Sequence, residues 1–311
     1  MKPTMTRLIT LPLIGLLFVF PHLARALDMQ FKQVAPGIYA YIGEPGLRTY
    51  ENEGMNGNAG FIVTKAGVVV VDSGSSYQVA QRIHAAIRKV TKQPVKVVIN
   101  TGGQDHRWLG NGHFKAQGAE IIAATAAVDD MNARGAMQME GLKAELKEKL
   151  AGTEPVLPTR TFDKELTLKL GGRDIRILHF QPAHTPGDLV VWLPKESVVF
   201  AGDIVFVDRL LGVLPFSSAT GWLASFEEMA KLKPRTIIPG HGDVCDLAKA
   251  RRETADYLGL LITHMRRAVD KGDDLQQAID SLDQSAYAKL PNYELLKGGN
   301  ANRVYLEMES R

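Results

Sequence analysis

Asn100-Thr101-Gly102-Gly103-Gln104-Asp105-His106 follows without a break on Val95-Lys96-Val97-Val98-Ile99, an apolar run of strand length that begins just after Pro94. Such a run predicts a strand buried on both faces. Gly67-Val68-Val69-Val70-Val71 upstream has the same character and ends in Asp72-Ser73-Gly74. Between the two, Tyr77 to Lys89 has the amphipathic spacing of a helix. Strand, helix, strand and a loop loaded with Asp105 and His106 predict an α/β protein whose site lies at strand ends. Gly102 and Gly103 leave space in that loop and permit positive φ.

Outward from this unit, Gly37 to Ile42 and Ala59 to Thr64 read as short strands. The Gly-, Asn- and Glu-rich loop between them, residues 43 to 58, is long enough to be functional. Thr125 to Leu150 is Ala-rich and charged, with Leu142, Leu146 and Leu150 at four-residue spacing, and predicts helices. Strands return at Leu166 to Leu170, which alternates strictly, and at Arg176 to Gln181, Leu189 to Leu193 and Val198 to Ala201. From about Leu247 the chain turns helical, with Leu258, Leu261, Ile262 and Met265 on one face. This organisation predicts a leader over 1–26, a principal domain over 27–246 and a helical C-terminal extension over 247–311.

The leader is read from Lys2 and Arg7, the apolar run Leu8 to Phe20, and the small-x-small site Ala24-Arg25-Ala26. The run is shorter than the ~20 residues of a membrane span. The expectation is therefore an exported, periplasmic or secreted protein, cleaved after Ala26 and without a stable membrane span. A net charge of +3, with lysine and arginine scattered, leaves no footprint for nucleic acid. Cys245 is the only cysteine, so no internal disulfide can form. It reads as a small buried hydrophobe.

Three more motifs follow in order, each after an apolar run: Ala183-His184-Thr185-Pro186-Gly187-Asp188, Phe200-Ala201-Gly202-Asp203 and Pro239-Gly240-His241-Gly242. With the Asn100 to His106 loop, these four elements resemble the metallo-β-lactamase superfamily, over roughly residues 31 to 245. Its signature loop reads N-T-H-x-H-x-D-H. The resemblance implies an αββα sandwich. In the loop, the Asp-His end is retained as Asp105 and His106, and both earlier histidines are absent. Read so, the loop is one residue short, with the missing positions on Gly102 and Gln104 or on Thr101 and Gly103.

Carried over residue by residue, the resemblance implies that Asp105, His106, Asp203 and His241 form a complete second metal site. His184 and a share of Asp203 are all that remains of the first. Imidazole and carboxylate suit zinc, and two protein ligands hold a metal poorly, so one zinc ion is expected. Asp105 and His184 are the candidates to hold and activate a water, His184 also as an acid or base. Asp72 is expected to steady the loop through hydrogen bonds. Gln104 is a candidate to coordinate weakly or orient a water, and Arg107 and Trp108 to line an enlarged cleft. His84, His113, His179 and His264 read as helix-face or packing residues.

The function implied is an exported zinc hydrolase of a small-molecule lactam, lactone, ester or thioester. The truncated loop behind a leader is also loosely similar to exported zinc metallohydrolases associated with quinoprotein and sulfur-oxidation systems. The alternative is a degenerate, non-catalytic accessory protein that binds a metal or ligand.

Overall fold

The computed structural model describes residues 27–311, so the leader and cleavage site expected over residues 1–26 lie outside the described residues. The first half builds a seven-stranded sheet in chain order: β1 (Lys32–Ala35), β2 (Ile38–Tyr41), β3 (Ala59–Thr64), β4 (Gly67–Val71), β5 (Val95–Ile99), β6 (Glu120–Ala124) and β7 (Arg160–Phe162). β1 to β4 run antiparallel, and β4 to β7 run parallel. Parallel neighbours require crossovers. These are α1 (Tyr77–Val90), the short α2 (Asp105–Trp108) and α3 (Asn111–Ala116), and the long α4 (Thr125–Leu146).

The second half forms a five-stranded sheet, β8 (Glu165–Leu170), β9 (Arg173–His179), β10 (Leu189–Leu193), β11 (Val198–Phe206) and β12 (Thr236–His241), in the order β12-β11-β10-β9-β8. α5 (Ala219–Lys231) crosses over to the parallel β11–β12 pair. The tail is α6 (Leu247–Ala250), a π-helical turn at Arg251–Ala255, α7 (Asp256–Lys271), α8 (Leu275–Asp280) and α9 (Tyr293–Glu309).

The continuous valine runs have a simple cause. Side chains alternate between faces along a strand, and each sheet is covered twice. Val69, Val71 and Ile99 meet Ile177, Val191, Phe200 and Ile238 between the sheets. Val68, Val70 and Val98 pack outward on Val79, Ile83 and Ile87 of α1. The second sheet's outer face packs Val190 and Val199 with Trp222, Phe226, Leu258, Met265 and Val304. The layers are therefore helix, sheet, sheet, helix. The chain after Leu247 has no separate core, because α7 and α9 complete the outer layer of the second sheet.

Most expected elements appear within a residue or two. β6 is absent from the sequence reading because Glu120–Ala124 runs directly into α4 and carries no punctuation between strand and helix. β11 extends to Phe206, beyond the expected Ala201, bending at Gly202 where φ is +51° and the β12 register shifts. No helix of the described residues is long and apolar enough to cross a membrane.

Candidate metal centre

β4, β5, β11 and β12 all deliver polar residues at the same end of the sandwich, where Asp72, Asn100, Asp203 and His241 stand. Asn100 pins the loop after β5. Its Nδ2 donates to the Arg107 carbonyl at 2.8 Å, and its amide exchanges hydrogen bonds with that of Asn111. Asp72 holds the start of the loop by accepting from the Thr101 N–H at 2.7 Å and the Thr101 hydroxyl at 2.8 Å. This is the geometry expected of a loop-steadying aspartate.

His106, Asp203 and His241 converge, with one ligand atom from each lying within 4.8 Å of the others, and all three are buried. His241 Nε2 lies 3.3 Å from Asp203 Oδ1, and His106 Nε2 lies 3.9 Å from Asp203 Oδ2. The His241 Nδ1 proton is taken by the Asn56 carbonyl at 2.9 Å, which leaves a lone pair on Nε2. Arg209 Nη1 also lies 3.5 Å from that Nδ1, but two donors cannot bond each other, and the shorter Asn56 contact decides the tautomer. Phe206 stacks on the His241 ring and fixes its plane, with centroids 4.5 Å apart. His106 directs Nδ1 to Asp105 Oδ1 at 3.3 Å, and its Nε2 is buried without a partner among the described residues.

Burial keeps both imidazoles neutral, holding His241 down at about 3 and His106 well below its ordinary value. Two imidazole lone pairs and a carboxylate thus face one point, an arrangement that repels itself unless a cation stands there. A two-histidine, one-carboxylate set fits zinc with an open position, and other divalent transition metals as well. Two glycines permit the approach. A Cβ on Gly57 would lie 2.5 Å from His106 Cδ2, and one on Gly240 would lie 2.5 Å from Asp203 Oδ1.

Arg107 lies beneath this group and is 1 % exposed. Its Nε and Nη2 donate to the two Asp203 oxygens at 3.2 and 2.5 Å, and its Nη1 donates to Asp72 Oδ2 at 3.0 Å. The carbonyls of Asn58 and Gly240 accept at 2.8 and 3.1 Å. Burial alone would push Arg107 toward losing its proton, but Asp203 and Asp72 outweigh it and raise its pKa. Burial pushes Asp203 up, and the Arg107 guanidinium reverses that to well below the usual carboxylate range. Burial also drives Asp72 up to about 6, with Arg107 opposing. The expectation that Arg107 lines a cleft is therefore corrected. Asp72 and Asp203 both follow apolar runs, so a buried counter-charge was the signal available in the sequence.

Asp105 stands outside the group. Its Oδ1 accepts the His106 N–H at 2.8 Å and its Oδ2 pairs with Arg48, so the carboxylate is turned along the loop rather than toward His241. His184 is outside as well. Its Nδ1 donates to the Gly212 carbonyl at 3.0 Å, and its Nε2 accepts from the Gln104 side-chain amide at 3.0 Å. Burial lowers its pKa to about 4. The lone pair that would bind a first metal is occupied by an amide proton.

Nor is the cleft enlarged beside the two glycines. A Cβ on Gly102 would stand 2.4 Å from Asp188 Oδ1, and one on Gly103 would stand 2.1 Å from Asp130 Oδ2. Trp108 is fully buried and donates to Gln138, so it packs instead of lining an opening. These positions fit the signature read without a gap, with Gly102, Gln104, His106 and Arg107 at its H, H, D and H.

The centre opens into a cavity of about 320 Å³ whose wall includes Arg48, Gln104, Asp105, His184, Arg209 and Leu296. A larger depression, about 1000 Å³, lies at the opposite end of the sandwich among Thr64, Lys65, Gly172 and Lys195. It contains no histidine and is remote from the centre. The remaining candidates are structural: His84 Nδ1 meets His113 Nε2 at 2.9 Å, His179 and His264 bond backbone carbonyls, and burial pushes the Cys245 thiol up to about 12.

A family model described as the metallo-beta-lactamase superfamily matches residues 52–241, more than half of the chain. Among curated proteins, the chain is 24% identical over 220 residues to a metallo-beta-lactamase type 2 of Elizabethkingia meningoseptica, covering 70% of this chain and 80% of that one. It is 22% identical over 243 residues to a linear primary-alkylsulfatase of Pseudomonas sp. (strain ATCC 19151), covering 66% of this chain and 46% of the relative, so it spans about half that protein's length. Among solved structures, a metallo-beta-lactamase from Pontibacter korlensis superposes with a TM-score of 0.61 at 18% identity, covering 74% of this chain and 99% of that one.

Proposed function

The chain belongs to the metallo-β-lactamase superfamily, and from that premise we propose that it is an exported hydrolase working with a single zinc ion held by His106, Asp203 and His241. The observation that carries the reading is the buried, unpartnered His106 Nε2 facing Asp203 and the lone pair of His241. Zinc supplies Lewis-acid polarisation of a carbonyl or ester and activation of water near neutral pH.

The chain's own residues do the rest. Arg107 fixes both oxygens of Asp203, so the carboxylate is held facing His106 and His241. Asn56 and Phe206 fix the tautomer and plane of His241. Asp105 borders the same cavity with both oxygens engaged, Oδ1 by the His106 N–H and Oδ2 by Arg48, so in this reading it positions His106 and Arg48 at the rim. His184, tied to Gln104 and Gly212, serves as a wall in this reading. The substrates we propose are small lactams, lactones, esters or thioesters, because the family's relatives act on hydrolysable acyl and sulfate groups and the fold does not choose among them.

Metal analysis of protein purified without a chelator, joined to a substrate panel, tests the proposal. About one zinc per chain is expected, and His106→Ala and His241→Ala should lose the metal and all turnover together. Two tightly held zinc ions, or turnover that survives metal removal, would overturn it. One zinc with no turnover would instead favour a ligand-binding accessory protein, the reading to which Gln104 lends weight by occupying His184.

A further inference from the structure

Arg209 is 6 % exposed and lines the cavity beside His241, yet no carboxylate of the described residues bonds it. Its Nη1 donates to the Gly46 carbonyl at 3.0 Å, and its Nε is a buried donor without a partner among the described residues. Asp203, the acid whose charge acts on it, is already taken by Arg107. The neighbouring Asp208 faces away, to Lys249 and the Asp243 N–H. A buried guanidinium without a counter-charge is costly to keep, and a cation held by His106, Asp203 and His241 would make the surroundings more positive still. Of the two arginines that line the cavity, Arg48 has Asp105 and Glu145 beside it, so the unmet demand for an anion is at Arg209.

Part of the cavity's wall is apolar, and some of that part comes from outside the stretch that matches the family model. Leu47, Leu214 and Leu296 line it, and Leu296 belongs to α9. The Leu296 methyls lie 3.8 and 3.9 Å from the place where a Cβ on Gly212 would stand. α9 is locked there by Asn300, which is 1 % exposed, accepts the Val213 N–H at 2.7 Å and donates to the Leu211 carbonyl at 2.7 Å. The turn before α9 is tied to both rim loops, since Pro291 accepts the Leu210 N–H and Asn292 donates to the Pro45 carbonyl. The C-terminal helix is thus built into the cavity's wall.

We propose that the cavity takes a small amphiphilic anion, with its charged group on Arg209 and an unbranched alkyl chain along Leu47, Leu214 and Leu296. The C-terminal helix then sets the length of chain accepted. As a statement about substrate, an ester or thioester with such an anionic, aliphatic portion, it rests on the hydrolase reading. As a statement about binding, it stands on Arg209 and Leu296 alone.

The test is calorimetric titration of the full chain, zinc-loaded and metal-free, with acetate, butanoate, hexanoate and octanoate. Affinity should rise with length by up to about fourfold per methylene and level off once the chain reaches the mouth. Arg209→Gln should weaken every member by about tenfold or more, and Arg209→Lys should retain the preference for the anion over the matching alcohol. Leu296→Ala should leave acetate unchanged and flatten the gain with length. Affinity independent of length, or wild-type binding by Arg209→Gln, would overturn the proposal. Zinc content is measured on the same samples, so a wild-type chain that holds no zinc defeats the hydrolase reading while the metal-free titrations still decide this one.

Discussion

The Arg107 guanidinium and the Asp203 carboxylate form a two-point ion pair inside the fold, with both side chains 1 % exposed. The same guanidinium also serves Asp72, so one cation answers two buried carboxylates. Arg107→Met should therefore leave two buried carboxylates uncompensated and cost about 3–5 kcal/mol of stability. Urea unfolding of the metal-free protein measures this, and a loss under about 1 kcal/mol would show that the pair is not what holds the strand ends together. Arg107→Lys should recover only part, because an ammonium cannot reproduce the fork.

Asp105 and Asp203 are both ligands by the sequence motifs, and the structure separates them. Asp203→Asn should abolish tight zinc binding. Asp105→Asn should keep it within about tenfold of wild type, as befits a residue that bonds His106 and stands outside the converging group of His106, Asp203 and His241. Competition against a chromophoric chelator reads both, and equal losses would restore Asp105 to the ligand set.

Gly57 has no positive φ, so its backbone accepts alanine, but the added methyl would lie 2.5 Å from His106 Cδ2 and 2.8 Å from its Nε2. Gly57→Ala should displace the imidazole and lower zinc affinity by about 10- to 100-fold, while the urea midpoint of the metal-free protein changes little. Unaltered affinity would mean that the ring does not need its present position.

His184 links the fold to pH. Burial lowers its folded pKa to about 4 from 6.5, so below about pH 6.5 the unfolded chain takes up a proton that the folded one refuses. The contribution of His184 is then complete above about pH 6.5 and is lost as the pH falls to about 4, by roughly 3 kcal/mol in all. His184→Gln should flatten that part of the acid limb in urea unfolding between about pH 7 and pH 4.5. An unchanged limb would show that His184 is protonated in the fold.

Much of the architecture was legible in the chain because it depends on local pattern. Valine runs at β4 and β5, strict alternation at β8 and amphipathic spacing at α1 each declare their element within a few residues. Four polar motifs placed after such runs also declare a site at strand ends, since a parallel arrangement brings those ends together. β6 escaped because helix and strand adjoin there without a turn signal.

The roles within the site were not legible, because they depend on side-chain direction across the two sheets. Motif spacing alone aligned Asp105-His106 with an Asp-His ligand pair. In the fold, a one-turn helix from Asp105 points His106 at Asp203 and His241, sends Arg107 beneath them and leaves Asp105 to Arg48. Likewise, the absence of two histidines suggested an open half-site, whereas Gln104 and Asp188 fill it. The sequence by itself determined the family, the layers and the residues from which a centre can be made. Tertiary structure decided which of them meet, because buried charges and lone pairs must each find a partner, and those partners lie up to a hundred and more residues away.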